Sequence, residues 1–127
     1  MAPEEKKVPH PIKAHPLWAL YLFNKCYAPD QQSRKSPAVS PYYTDAEEFS
    51  LMTAFVTCEG GTLRPEANQL AEMLQIQKNN SQNVVFHVLE GVPHGLDKGA
   101  EDGTLEWVRR EEAYSLAIKL LKEVFDR

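Results

Sequence analysis

Residues 84–95 read VVFHVLEGVPHG, and the fold follows from how this stretch is read. Val84, Val85 and Val88 favour a pleated backbone, Gly91 permits a turn, and Gly95 leaves space beside the ring of His94. The pattern predicts a strand over 84–90 that breaks off at Gly91, turns through Pro93 and presents an imidazole at its end. A histidine so placed is a candidate proton shuttle, because imidazole titrates near neutrality and catalytic groups often sit on strand-end loops. The plainer reading is a polar turn residue, and the rest of the chain has to decide between the two.

Upstream, Leu51 to Cys58 (LMTAFVTC) reads as a buried strand ended by Glu59-Gly60-Gly61. Thr62 is placed to cap a helix with Pro65 in its first turn. Leu63, Ala67, Leu70 and Leu74 form its apolar stripe, and Lys78 with Asn79 and Asn80 closes it. Strand, helix, strand in this order is a βαβ unit, which predicts parallel neighbouring strands and a right-handed crossover. Downstream, LDKGAEDG leads into a last helix from about Leu105 to Phe125. Glu106, Glu111 and Glu112 lie toward its start and Lys119, Lys122 and Arg127 near its end, which suits the helix dipole. Its expected buried stripe is Trp107, Tyr114, Ile118, Leu121 and Phe125. The fold class is therefore α/β. Both strands are near-continuous apolar runs, as in a parallel sheet covered on both faces, yet two strands leave two open edges.

Residues 1–16 hold Pro3, Pro9, Pro11 and Pro16 among charges and read as a proline-rich arm along the surface, with His10 and His15 facing solvent. Leu17 to Tyr27 (LWALYLFNKCY) reads as a helix apolar nearly all round, either packed in the core or walling a greasy pocket. Residues 28–50 read as a loop, with turns around Ser40-Pro41-Tyr42-Tyr43 and Asp45. At 127 residues the chain makes one domain at most, and residues 17–127 form its body. A net charge of −4 argues against a nucleic-acid partner. No apolar run is long enough to span a membrane and MAPEEKKVPHP is too polar for a secretory signal, so a soluble, cytoplasmic protein is expected. Cys26 and Cys58 lack metal or disulfide spacing and read as two buried thiols; no metal and no cofactor is expected. Asn79-Asn80-Ser81 matches a glycosylation sequon, which has no meaning without secretion.

The order of apolar helix, SPAVSPYY, FVTCEGGTLRPEANQLAEML, VVFHVLEGVPHGLDK and terminal helix resembles the C-terminal part of the α/β-hydrolases related to hormone-sensitive lipase, especially fungal esterase and lipase-like members. The resemblance rests on the spacing between Thr57–Leu63 ("TxxxxTL") and His94-Gly95. MAPEEKK resembles the segment after the sixth strand of such enzymes, with Met1 then an internal methionine. The resemblance implies ester hydrolysis by a Ser, Asp/Glu, His triad, a small-molecule ester or lipid substrate, and His94 as triad histidine. It places the acid at Gly61, so the acid is missing. No serine sits in a GxSxG elbow and no HGGG-type oxyanion segment is present. Glu59 is a substitute acid on the same extended segment, while Asp97 lies in a loop expected to be solvated. Three readings follow. The chain is a hydrolase fragment inactive alone, half of a two-chain esterase, or a non-catalytic module that binds a partner, lipid or second copy through the sheet edge or the helix at 17–27.

Overall fold

The computed structural model describes residues 1–78 and 84–126. β-branched and aromatic runs give two strands, β1 (Thr53–Gly60) and β2 (Val84–Pro93), which pair in parallel with Phe55 opposite Phe86 and Cys58 opposite Leu89. Among the described residues three α-helices accompany them: α1 (Leu17–Tyr27), α2 (Arg64–Lys78) between the strands, and α3 (Leu105–Phe125). The protein is thus α/β, with a two-stranded parallel sheet and a C-terminal helix. The loop at 28–50 contains three single 3-10 turns, at Ser33–Lys35, Pro41–Tyr43 and Ala46–Glu48.

Side chains alternate across a strand, so the sheet has two faces with separate cores. On one, Leu70, Ala71 and Leu74 of α2 pack on Val84, with Ala46, Phe55 and Phe86 around them. On the other, Leu89, Val92 and Leu96 are buried with Cys58 and with Ala113 of α3. Helices α2 and α3 therefore cover opposite faces. The arm lies against this unit: Ile12 is packed at Gly60, and Lys6 Nζ meets Glu66 Oε1 of α2 at 2.9 Å.

Several expectations are corrected. β1 begins two residues later than the apolar run and continues through Gly60, because Gly60 still pairs with Pro93 of β2. β2 runs on through Gly91 to Pro93, so Gly91 is a kink within the strand and not its end. Thr62 and Leu63 form a turn, α2 starts at Arg64, and Leu63 is exposed. Asn79, Asn80, Ser81 and Arg127 lie outside the described residues. Helix α1 buries only Ala19, and Trp18, Tyr21, Leu22, Phe23 and Tyr27 are exposed. Helix α3 has the expected span, yet Tyr114, Ile118, Leu121 and Phe125 are 50–81 % exposed. The common cause is that a two-stranded sheet offers each face room for one helix contact and no further layer. Cys26 is exposed on α1 and Cys58 half-buried, so the thiols are not a buried pair.

The accessible surface is 9008 Å², about 2,200 Å² above the ~6,800 Å² of a typical folded monomer of 14.4 kDa. This excess is apolar in large part, since Trp18, Phe23, Tyr27, Leu51, Ile76 and Phe125 are all exposed.

Candidate functional site at the strand ends

The carboxyl ends of parallel strands are where open α/β sheets bind ligands, because loops there leave the sheet together. Here the register brings Gly60 opposite Pro93, so Gly61 and His94, one residue further, leave adjacent strands at the same end. Between Cys58 and Gly60 the pairing slips, and β2 accommodates Glu90 to Val92 against the single Glu59. Gly91 takes φ +76° at this irregularity. Its N–H donates to Glu59 Oε2 at 2.7 Å, while Arg109 Nε of α3 donates to the Glu90 carbonyl at 3.0 Å. The distortion is thus held from both sides by charged side chains.

His94 is exposed in the turn that follows β2. Gly95, at φ +72°, reverses the chain, and Leu96 is buried against Leu89 and Val92. The loop is consequently anchored on both sides of the imidazole. Among the described residues none hydrogen-bonds to His94, and the Glu59 carboxylate is engaged by the Gly91 N–H. The expected acid position, Gly61, is buried and donates its N–H to the Cys58 carbonyl at 2.8 Å. Asp97 is exposed. Burial, followed by the charge of Asp97, pushes the Cys58 thiol above its ordinary value, against a hydrogen bond from the Gly95 backbone that pulls it down. Thiolate is the reactive form, so Cys58 is poorly suited to act as a nucleophile despite its proximity to the His94 turn.

A second cluster was not evident in the sequence. His87, in the middle of β2, places Nε2 2.5 Å from Glu112 Oε1 of α3, and Arg109 Nη1 donates to Glu112 Oε2 at 2.7 Å. The Arg109 hydrogen bond, then that of His87, holds the Glu112 carboxyl below its ordinary value, with burial opposing. Arg109 and Glu112 stand three apart on the helix, which is a readable signal, but their strand partner is set by tertiary packing. A carboxylate orients the imidazole here, as in a triad; no hydroxyl or thiol among the described residues hydrogen-bonds to His87. The cluster docks α3 on the sheet.

Beside the strand ends, a cavity of about 390 Å³ opens between Pro9–Lys13 of the arm and Glu59, Pro93 and Glu106. His94 is not in its lining, so the cavity and the histidine do not form one site. Among the described residues no group of three His, Cys, Asp or Glu side chains is placed to hold a metal ion, and no helix is long and apolar enough to cross a membrane. Comparison with family models, curated proteins and solved structures finds no match. The site must be interpreted from its own geometry.

Proposed function

We propose that the chain is the C-terminal part of an α/β-hydrolase of esterase or lipase type, with His94 at the triad-base position, and that it is inactive alone. The observation that carries this reading is the register, which sends Gly61 and His94 out of neighbouring strands at one end of the sheet. An acid at the first position and a histidine at the second is the arrangement a triad requires, with the acid fixing the imidazole's tautomer and the imidazole shuttling the nucleophile's proton. The chain has the second group and lacks the first. It also lacks a serine elbow, and a histidine alone cannot carry out two-step acyl transfer. The substrate class on this reading is a small ester or lipid, and the missing strands belong to the rest of the sheet or to a partner chain.

The test has two arms. The purified chain is expected to leave p-nitrophenyl acetate at its buffer hydrolysis rate; turnover that His94→Ala abolishes would overturn the inactivity. In the second arm, residues 53–98 carrying Gly61→Asp replace the corresponding segment of a full-length hydrolase of this type. Activity should persist, and His94→Ala in that chimera should reduce it by about 10⁴-fold. A folded chimera without activity overturns the family reading.

The exposed apolar residues of α1 favour a second reading, a non-catalytic interaction module that holds a partner or lipid through α1 or an open strand edge.

A further inference from the structure

We infer that Glu59 is a positioning residue for His94: its carboxylate pins a bulge in β2 that brings the imidazole to the end of β1, beside position 61. From Thr53 opposite Val84 to Cys58 opposite Leu89 the strands keep one register, and the next pair is Gly60 with Pro93. Continued without a slip, the register of Cys58 and Leu89 would carry β2 past the end of β1. His94 would then lie opposite Leu63, in the turn that leads into α2. Two extra residues of β2 are taken up instead, and His94 leaves the sheet one step beyond Pro93, level with Gly61. A bulge re-aims a side chain in this way because it bends the strand that contains the extra residues.

Strand pairing does not hold the bulge, since the ladder gives Glu90, Gly91 and Val92 no partner in β1. Side chains hold it. Gly91 adopts φ +76°, a conformation that glycine enters without strain, and its N–H donates to Glu59 Oε2 at 2.7 Å. The carbonyl of the same peptide group, that of Glu90, accepts from Arg109 Nε at 3.0 Å. Arg109 is steadied in turn by Glu112, which accepts from its Nη1 at 2.7 Å and also meets His87 Nε2. One peptide is thus gripped at both its polar atoms by side chains of opposite charge, from β1 and from α3. Hydrogen bonds to charged groups are the stronger kind, and they satisfy a peptide that the ladder leaves unpaired. Glu59 is therefore not a substitute triad acid: it acts on His94 through Gly91. This geometry stands by itself, and only the use of the placed imidazole in ester hydrolysis rests on the hydrolase reading.

Two measurements separate the inference from that reading. In NMR spectra of the full chain, the Gly91 amide proton should move upfield between about pH 7 and about pH 4, where carboxylate acceptors begin to protonate, and should not do so in Glu59→Gln. Cross-strand NOEs between Gly60 and Pro93 should survive in Glu59→Gln, which keeps an acceptor oxygen, and vanish in Glu59→Ala. Those between Phe55 and Phe86 should persist in both variants, reporting an intact sheet. A Gly91 amide that shifts no further in wild type than in Glu59→Gln, or Gly60–Pro93 NOEs that remain in Glu59→Ala, overturns the inference. The second measurement uses the chimera that carries residues 53–98 with Gly61→Asp. There Glu59→Ala should lower kcat by about 100-fold with KM unchanged, and Glu59→Gln should retain most of the activity. An active chimera whose kcat is indifferent to Glu59→Ala also overturns the inference. If the chimera is inactive from the start, the hydrolase reading falls and the NMR result decides the role of Glu59 by itself.

Discussion

Two adjacent glycines at the end of β1 have different constraints. A Cβ on Gly60 would lie 2.9 Å from both the Pro93 Cα and the Val92 carbonyl, and closer still to the Ile12 side chain. Backbone atoms of a paired strand cannot step aside as a flexible side chain can, so the close approach of β1 and β2 at the slipped register depends on the missing methyl group. A Cβ on Gly61 meets only the Cys58 carbonyl, at 3.0 Å, and one on Gly99 meets nothing within 4 Å. Gly60→Ala should therefore destabilise the protein by about 1–3 kcal/mol, whereas Gly99→Ala should change stability by less than about 0.5 kcal/mol. Urea melts of the two variants check the contrast, and equal midpoints would show that β1 and β2 do not meet as closely as described. The same contacts bear on the acid position of the proposed triad: a side chain at position 61 requires a shift of a few tenths of an ångström, while position 60 could not carry one. In the sequence both are simply glycines at a strand end, and only the register separates them.

At the scale of elements, the spans were legible and their surroundings were not. The helices at 17–27 and 105–125 and the parallel pairing of the strands follow from local periodicity and from the order of elements, which the sequence contains. Whether an apolar stripe is covered depends on what lies opposite. The stripe predicted from Trp107 to Phe125 was a real periodicity assigned to the wrong neighbour, because α3 docks through Arg109, Glu112 and Ala113. That docking is partly electrostatic and so depends on pH. The Glu112 carboxyl is held below its ordinary value of 4.5, chiefly by the Arg109 hydrogen bond and next by His87. A carboxyl depressed on folding contributes its full stabilisation above its unfolded pKa and loses it as pH falls through the folded value. Stability should therefore decline below about pH 4.5, and Glu112→Gln should remove part of that decline. Because the partners are partly exposed, the contribution near neutral pH is on the order of 1 kcal/mol or less. Urea midpoints at pH 7 and pH 3.5 check this: an identical loss on acidification in wild type and Glu112→Gln would show that the Arg109–Glu112–His87 contact does not form in solution.

Across the whole molecule, the excess of exposed surface and the shape of α3 lead to a test that no single contact provides. A chain of this mass with 9008 Å² accessible buries about 57 % of the area of its unfolded form, where about two-thirds is usual. The shortfall is apolar surface that gains free energy when covered. If a second copy covers it, folding and association are linked, and mass action makes thermal stability depend on protein concentration. A tenfold rise in concentration then adds about 1.4 kcal/mol per dimer, or roughly 2–4 °C in Tm for a protein of this size. If only the remainder of a larger domain covers it, the isolated chain melts at a temperature independent of concentration. Calorimetry across two decades of concentration distinguishes the cases. On the reading of the chain as part of a larger domain the wild-type Tm should stay level, against a rise of about 4–8 °C for a self-pairing chain, and an Ile118→Glu, Leu121→Glu variant should match it. A climb in the wild type that the two glutamates abolish would show instead that a second copy covers Ile118 and Leu121.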